Sequence, residues 1–234
     1  MSPEVTKKTY SIFGTADPRD LPSYTYAQAS RILRIPAVTL RAWVAGTTYS
    51  GGVFDPVIRR PNPEDSRLSF ANLVEAHVLR SLRTRHGVPM NKVREALAFA
   101  EQQCGIERLL TRKELKATPG RIFFDEYGKL TELSKGGQLG LREVWKAHLE
   151  LLVHDVAGFP IRLFPWTTAE RGFRKSIVVD PLVSFGNPIT VKRAISTAVL
   201  ADRFDAGEPL ASLARDYSLT ETEVQDAIVY ERAA

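Results

Sequence analysis

Residues 24–45 read YTYAQASRILRIPAVTLRAWVA, and this stretch decides the fold. Thr25 can accept from the amides of a first helical turn, which makes it the expected N-cap. Tyr26, Ala29, Ile32 and Leu33 then recur at the three-and-four spacing that gathers apolar side chains on one helix face. Pro36 interrupts that pattern, having no amide to donate. It resumes over residues 37–45, where Val38, Trp43 and Val44 are apolar while Thr39 and Arg41 are polar. Gly46 ends this second helix, as a residue free to take a positive φ does. Two short helices joined by a tight turn make a helix-turn-helix. Beyond it, VFDPVIRR (53–60) and SRLSF (66–70) are the expected strands of a wing, around Pro61, Asn62, Pro63 and Asp65.

The chain has 234 residues, 44% of them hydrophobic, enough for two or three small domains with buried cores. Its one cysteine, Cys104, excludes an internal disulfide and a multi-cysteine metal cluster, which suits a reducing compartment. No apolar run reaches the ~18 residues of a membrane span, and the first residues lack the apolar core of a signal peptide, so a cytoplasmic protein is expected. The net charge of +5 is unevenly spread. Residues 21–87 hold nine Arg and four acids, a balance of +5, whereas residues 196–234 hold three Arg and eight acids, a balance of −5. A polyanion favours the first stretch and a protein surface or water the second.

In order, residues 1–20 contain Pro3, Gly14 and Pro18 with little periodicity and are expected as a loose arm. Residues 21–104 form the winged helix-turn-helix. Within it Ser69 caps a helix to His86 with Leu73, Val74, His77, Val78 and Leu82 as the buried stripe, and Pro89 starts another helix with Val93, Leu97 and Ala100 inward. Residues 105–176 read as a mixed α/β module or embellished linker. TRKEL (111–115) suggests a helix start, and residues 127–129 a hairpin turn. Residues 141–155 are helix or strand, and FPIRLFPW (159–166) is extended because of its prolines. Residues 177–234 begin with an extended lead-in and continue as three helices. Ser196 caps the first, Pro209 starts the second, and Thr220 with Glu223 forms the capping box of the third. Val199, Leu200, Phe204, Leu210, Leu213, Ala214, Tyr217, Leu219, Val224, Ile228 and Val229 are the expected core. The fold class is therefore mainly α with small β elements, carrying a helix-turn-helix at each end.

The order YTYAQASRIL, VTLRAWV, a wing bearing paired arginines, and LSFANLVEAHVLRSLRTRHGVPMNKVREAL resembles the MerR-type DNA-binding domain over about 80 residues. The C-terminal segment resembles a short domain found in VapB-type antitoxins, through Pro181, Gly186, Pro188, Ala206, Gly207, Glu208, Tyr217, Ala227 and Tyr230. That resemblance implies a PIN-domain ribonuclease toxin as partner.

On the first helix-turn-helix, Thr39 and Arg41 lie near the start of the recognition helix, whose N-terminal residues approach base edges in the major groove. Arg59, Arg60 and Arg67 are the expected wing contacts to phosphate or minor groove. The third C-terminal helix instead carries Glu221, Glu223, Asp226 and Glu231, which phosphate would repel, so protein contact is expected there. A homodimer suits a two-fold operator. Arg171, Arg174 and Lys175 form a basic cluster suited to a toxin's acidic metal site. His77, His86, His148 and His154 match no metal-binding spacing, and no phosphate-binding glycine loop or nucleophile elbow is present, so neither an enzyme nor a cofactor is expected. The resulting expectation is a type II antitoxin that binds operator DNA and a cognate toxin. The alternative is a stand-alone MerR-like regulator sensing a small molecule.

Overall fold

The computed structural model describes residues 16–49, 52–86, 90–104, 108–111, 150–165 and 175–232. The cap expected at Thr25 is reciprocal: the Gln28 amide donates to Thr25 Oγ1 at 3.2 Å, and the Thr25 amide donates to Gln28 Oε1 at 2.9 Å. It opens α1 (Tyr26–Leu33), and α2 (Ala37–Ala45) follows after a turn through Arg34, Ile35 and Pro36. Gly46, at φ 78°, then leads into a hairpin of β1 (Thr47–Tyr49) and β2 (Gly52–Phe54), with Thr47 opposite Phe54. A side chain at Gly46 would lie 2.4 Å from the Phe54 carbonyl, so glycine is needed for the close approach as well as for the angle.

This corrects the expected wing. VFDPVIRR contributes only its first two residues to β2, and SRLSF makes a single bridge in which Leu68 pairs with Tyr24. Pro56, Pro61 and Pro63 remove the amides that a ladder through this segment would need.

α3 (Phe70–His86) is capped as expected, with the Asn72 amide donating to Ser69 Oγ at 3.2 Å. Its burial exceeds an amphipathic stripe: every residue from Phe70 to Leu79 is buried, including Asn72, Glu75 and His77. A helix apolar or satisfied all round is a central one. On one side of it pack Leu33, Leu40 and Trp43 of the helix-turn-helix. The same core takes in Val93 and Ala100 of α4 (Met90–Cys104) and Leu109 and Leu110 of a single 3-10 turn.

Residues 18–20, expected within a loose arm, form a 3-10 turn held by Arg19. Its guanidinium bonds Asp17 and Asp155, both at 2.6 Å, and lies over the Phe159 ring. Asp155 sits in the hairpin of β3 (Leu152–His154) and β4 (Pro160–Leu163), whose Leu152 and Leu163 join the N-terminal core. The extended reading of residues 159–166 is met by β4 over Pro160–Leu163, and residue 166 lies outside the described residues. The expected helix at residues 111–115 falls outside the described residues beyond Thr111, as do the turn at 127–129 and residues 141–149.

Leu163 also exchanges two backbone hydrogen bonds with Val179, at 3.0 and 2.8 Å, which ties this hairpin to the C-terminal segment. There the expected extended lead-in is a two-stranded sheet, β5 (Ile177–Val178) and β6 (Ile189–Thr190), enclosing a turn at Ser184–Gly186. Next come α5 (Thr197–Asp205), α6 (Leu210–Asp216) and α7 (Glu221–Arg232). The capping box at Thr220 is present, with the Thr220 amide donating to Glu223 at 2.7 Å. Ser196 precedes α5 but its hydroxyl makes no capping bond. Val199 and Val229, expected inside, are 42% and 37% exposed, while Ala227 and Tyr230 take their place in the core. In α7 the buried face runs through Val224, Ala227, Ile228 and Tyr230, and Val229 falls a full step off it. Among the described residues no helix is long and apolar enough to cross a membrane.

The contact between Tyr24 and Gly186 joins the two ends of the chain: the tyrosine hydroxyl donates to the Gly186 carbonyl at 3.1 Å. Burial, and secondarily Asp180, raises the Tyr24 pKa, so the phenol stays a donor at all ordinary pH. A Cβ at Gly186 would fall 2.0 Å from the Tyr24 hydroxyl, at φ 73°. Gly186→Ala is expected to destabilise the fold by about 2 kcal/mol or more in urea titration, and Tyr24→Phe by about 1 kcal/mol. The two losses should fall short of additive, because removing the hydroxyl also relieves part of the clash.

Asp155 is held below the usual carboxylate range. Burial alone would raise it, but the Phe159 amide at 2.9 Å and the Arg19 guanidinium lower it further. A depressed folded pKa adds stability above the unfolded value of about 3.9 and loses it as pH falls toward the folded one. Asp155→Asn should therefore flatten the acid limb of a stability profile followed by circular dichroism between about pH 5 and 2.

Candidate nucleic-acid interface

The spacing of α2 divides it cleanly. Leu40, Trp43 and Val44 are 0%, 3% and 4% exposed and face the core. At about 100° per residue Val38 lies roughly 160° from Leu40, and Arg41, Ala42 and Ala45 fall on the same outer side. Val38 is accordingly 74% exposed, and Arg41 and Ala45 are exposed as well. Val38 thus belongs to the outward face, which the simple apolar pattern did not show. The signal was present in the offset of two residues between Val38 and Leu40, which places them on opposite sides.

Arg41 is not a free-swinging cation: its guanidinium lies 5.6 Å from the centre of the Tyr26 ring at the start of α1. Such a contact orients a long side chain without neutralising it. Thr39 lies on the flank of this face, half-buried, with its amide bonded to the Pro36 carbonyl at 2.9 Å. The hairpin β1–β2 follows directly and is exposed along Thr47, Thr48, Val53 and Phe54, with Val53 at 67%.

The three arginines expected on the wing stand on the coil beyond it. Arg59 makes a bidentate pair with Glu101 of α4 at 2.7 and 2.9 Å. Arg60 donates to the Asp65 carbonyl at 3.0 Å, and Arg67 forks onto the Asp65 carboxylate at 2.7 to 3.1 Å. That pairing lowers the Asp65 pKa and raises that of Arg67. Arg59 and Arg67 keep exposed guanidiniums, with side chains 79% and 52% accessible, so exchanging these surface pairs for another anion costs little.

The far end of α1 is fixed by groups distant in sequence. Arg34 takes the left-handed conformation, at φ 55°, and its guanidinium donates to the Tyr230 carbonyl while lying 5.2 Å from that ring. The Tyr230 hydroxyl in turn donates to the Ile32 carbonyl at 3.2 Å, and Arg80 donates to the Leu33 carbonyl. Burial lowers the Arg34 pKa, with the Arg80 charge adding to the effect against Tyr230 and Glu231, yet an arginine remains charged at any ordinary pH. Tyr230 itself is raised, by burial first and then by Glu231.

α7 uses its acids internally. Asp226 is buried, Glu223 closes the cap and approaches Lys192 at 3.7 Å, and Glu231 accepts from the Thr197 hydroxyl. Of the four, Glu221 alone is exposed. Of the basic cluster expected near the middle module, Arg171 and Arg174 lie outside the described residues. Lys175 is exposed but donates to the Glu150 carbonyl at 2.7 Å and lies over the Phe164 ring. Among the described residues no group of His, Cys, Asp or Glu has the arrangement of a metal site.

Residues 22–97 match a family model described as "Putative DNA-binding HTH domain", and residues 177–230 match one described as "Protein of unknown function (DUF433)". The first match spans the helix-turn-helix, hairpin, α3 and the start of α4; the second spans β5 through α7. The chain is similar to a Mycobacterium tuberculosis protein named "Putative antitoxin VapB45", 26% identical over 89% of this chain and 93% of that protein. It is also similar to the uncharacterized protein Rv2308 of the same organism, 25% identical over 89% of this chain and 90% of that one. In fold it resembles the crystal structure of Rv2018 from M. tuberculosis, with a TM-score of 0.67 over 89% of this chain and 98% of that chain, at 23% identity.

The two sides of α2 predict opposite stability effects. Val38→Ala and Arg41→Ala should each leave the unfolding free energy within about 0.5 kcal/mol of the parent, whereas Trp43→Ala should cost roughly 3–5 kcal/mol. Thermal or urea unfolding of the purified variants checks both.

Proposed function

We propose that this protein is a DNA-binding antitoxin, which reads operator DNA through the outward face of α2 and binds a cognate toxin through other surfaces. The observation that carries the DNA half is that face: Val38, Arg41 and Ala45 stand exposed on a helix whose opposite side is locked into the core. Similarity along most of the chain to a protein named as an antitoxin supports the toxin half.

In the major groove, the first turn of α2 comes nearest the bases. Arg41, pre-oriented by the Tyr26 ring, supplies a bidentate fork for guanine, Val38 a methyl surface for thymine, and Thr39 a hydroxyl for a flanking phosphate. Ala42 and Ala45 are small enough to let the helix backbone approach the groove floor. The hairpin β1–β2 lies beside α2 and takes the neighbouring minor groove or backbone. Arg59, Arg60 and Arg67 supply phosphate contacts once Glu101 and Asp65 give up their pairings, which predicts a salt-dependent affinity.

The finer reading is a repressor of MerR-like design acting as a homodimer, since a two-fold operator presents two equivalent half-sites. Its toxin is a PIN-domain-like ribonuclease. Arg171, Arg174 and Lys175 are the proposed partner contacts, a cationic cluster suited to the carboxylates of such an enzyme's metal site.

Two experiments test the halves separately. In gel-shift titrations on the promoter of its own operon, Arg41→Ala should lose about 1–3 kcal/mol, concentrated at one base position, and Val38→Ala a smaller amount. Unchanged operator affinity for Arg41→Ala would remove α2 as the reading helix. Co-expression with the product of the neighbouring reading frame should rescue growth and yield a co-purifying complex; a neighbour neither toxic alone nor captured would overturn the antitoxin assignment.

A further inference from the structure

We propose that the cavity between the exit of the hairpin and α4 is a binding site for a small organic carboxylate. The cavity measures about 300 Å³, within the range of small-ligand pockets. Val57, Leu97, Leu109 and Leu110 give it an apolar wall, and three arginines and three acids share the remainder.

The partners of those charged groups decide the ligand's chemistry. Glu101 has both carboxylate oxygens engaged by Arg59, at 2.7 and 2.9 Å. Glu75 has both engaged by Arg108, at 3.0 and 3.2 Å, and a further bond from Asn72 at 2.9 Å. These pairs leave Glu101 and Glu75 little acceptor capacity for a cationic or amine ligand; the third acid, Asp55, is a solvent-exposed residue. Arg94 is the exception. Its Nε donates to the Asp55 carbonyl at 3.0 Å, and its guanidinium lies 5.0 Å from the centre of the Phe54 ring. Neither of its terminal nitrogens has an acceptor among the described residues, and no carboxylate forms an ion pair with it there. Burial lowers its pKa, which only the more distant Asp55 charge opposes.

A partly desolvated guanidinium with two parallel donors unused is complementary to a carboxylate, which accepts both. The apolar wall accommodates a compact hydrocarbon or aromatic body. Such a ligand would bridge α4 to the coil that leaves the hairpin, since Phe54 under Arg94 belongs to β2. The inference does not rest on the antitoxin reading: no residue of the outward face of α2 takes part, although Arg59, proposed above as a phosphate contact, also lines the cavity.

The test uses the full chain with benzoate and phenylacetate as probes, benzamide and phenylacetamide as neutral isosteres, and inorganic phosphate as a compact anion, read by thermal shift and calorimetric titration. At least one acid should raise the melting temperature and bind about tenfold or more tightly than its amide, as expected for a charge-assisted fork. Arg94→Gln should abolish that preference. Ala98→Phe, at an exposed helix position on the cavity wall, should block binding while leaving Arg94 in place. Equal binding of acid and amide, unchanged binding in Arg94→Gln, binding of phosphate alone, or no response to either acid at 10 mM would each overturn the proposal. Operator binding by Ala98→Phe should match the parent, which separates failure here from failure of the α2 assignment.

Discussion

The last turn of α1 is the constraint on which the rest depends. A helix ends with carbonyl groups that have no partner of their own. In this chain the Ile32 carbonyl accepts from Tyr230 and the Leu33 carbonyl from Arg80. Arg34, turned left-handed, reaches to the Tyr230 carbonyl. The cations Arg34 and Arg80 also stand at the negative end of the helix dipole. Since α2 begins only three residues after Arg34, the direction of α2 is set by this clamp. A helix near the start of the chain is thus aimed by a tyrosine near its end.

The C-terminal unit accordingly works as a brace. Tyr230 sits at the junction of its own core and α1, and Tyr24 reaches back to Gly186 from just before the start of α1. Both ends of α1 are therefore held from across the chain, one by a tyrosine it supplies and one by a tyrosine it receives. The acids of α7, four of the eight in the tail, serve mostly as caps and internal acceptors. Their charge opposes a polyanion, and Asp226, Glu223 and Glu231 are already engaged or buried within the C-terminal unit.

Around α2, two features divide rigidity from openness. Trp43, Leu40 and Val44 anchor the inner side while the outer side stays bare, so the face is exposed without being loose. Gly46 brings the hairpin close enough that Phe54 packs under Arg94 of α4. The hairpin thereby rests on the same helix that lines the cavity, and the geometry of the interface and of the cavity share one support.

Much of this was legible in the chain itself. The caps at Thr25, Ser69 and Thr220, the glycine at Gly46, and the periodic helices follow from interactions between residues a few positions apart, which local sequence encodes fully. The outward position of Val38 was also encoded, in its phase against Leu40. Other features were settled by contacts between distant segments. The prolines after Phe54 marked where a ladder must stop, but the strand partners were set by the Gly46 approach. Arg59 and Arg67 looked like wing cations until Glu101 and Asp65 claimed them. The docking of residues 18–20 depended on Asp155, and the aim of α2 on Tyr230. Sequence determined where helices begin, end and turn their apolar sides. Tertiary structure decided which polar groups meet, because a hydrogen bond or ion pair between distant residues leaves no periodic trace in the chain.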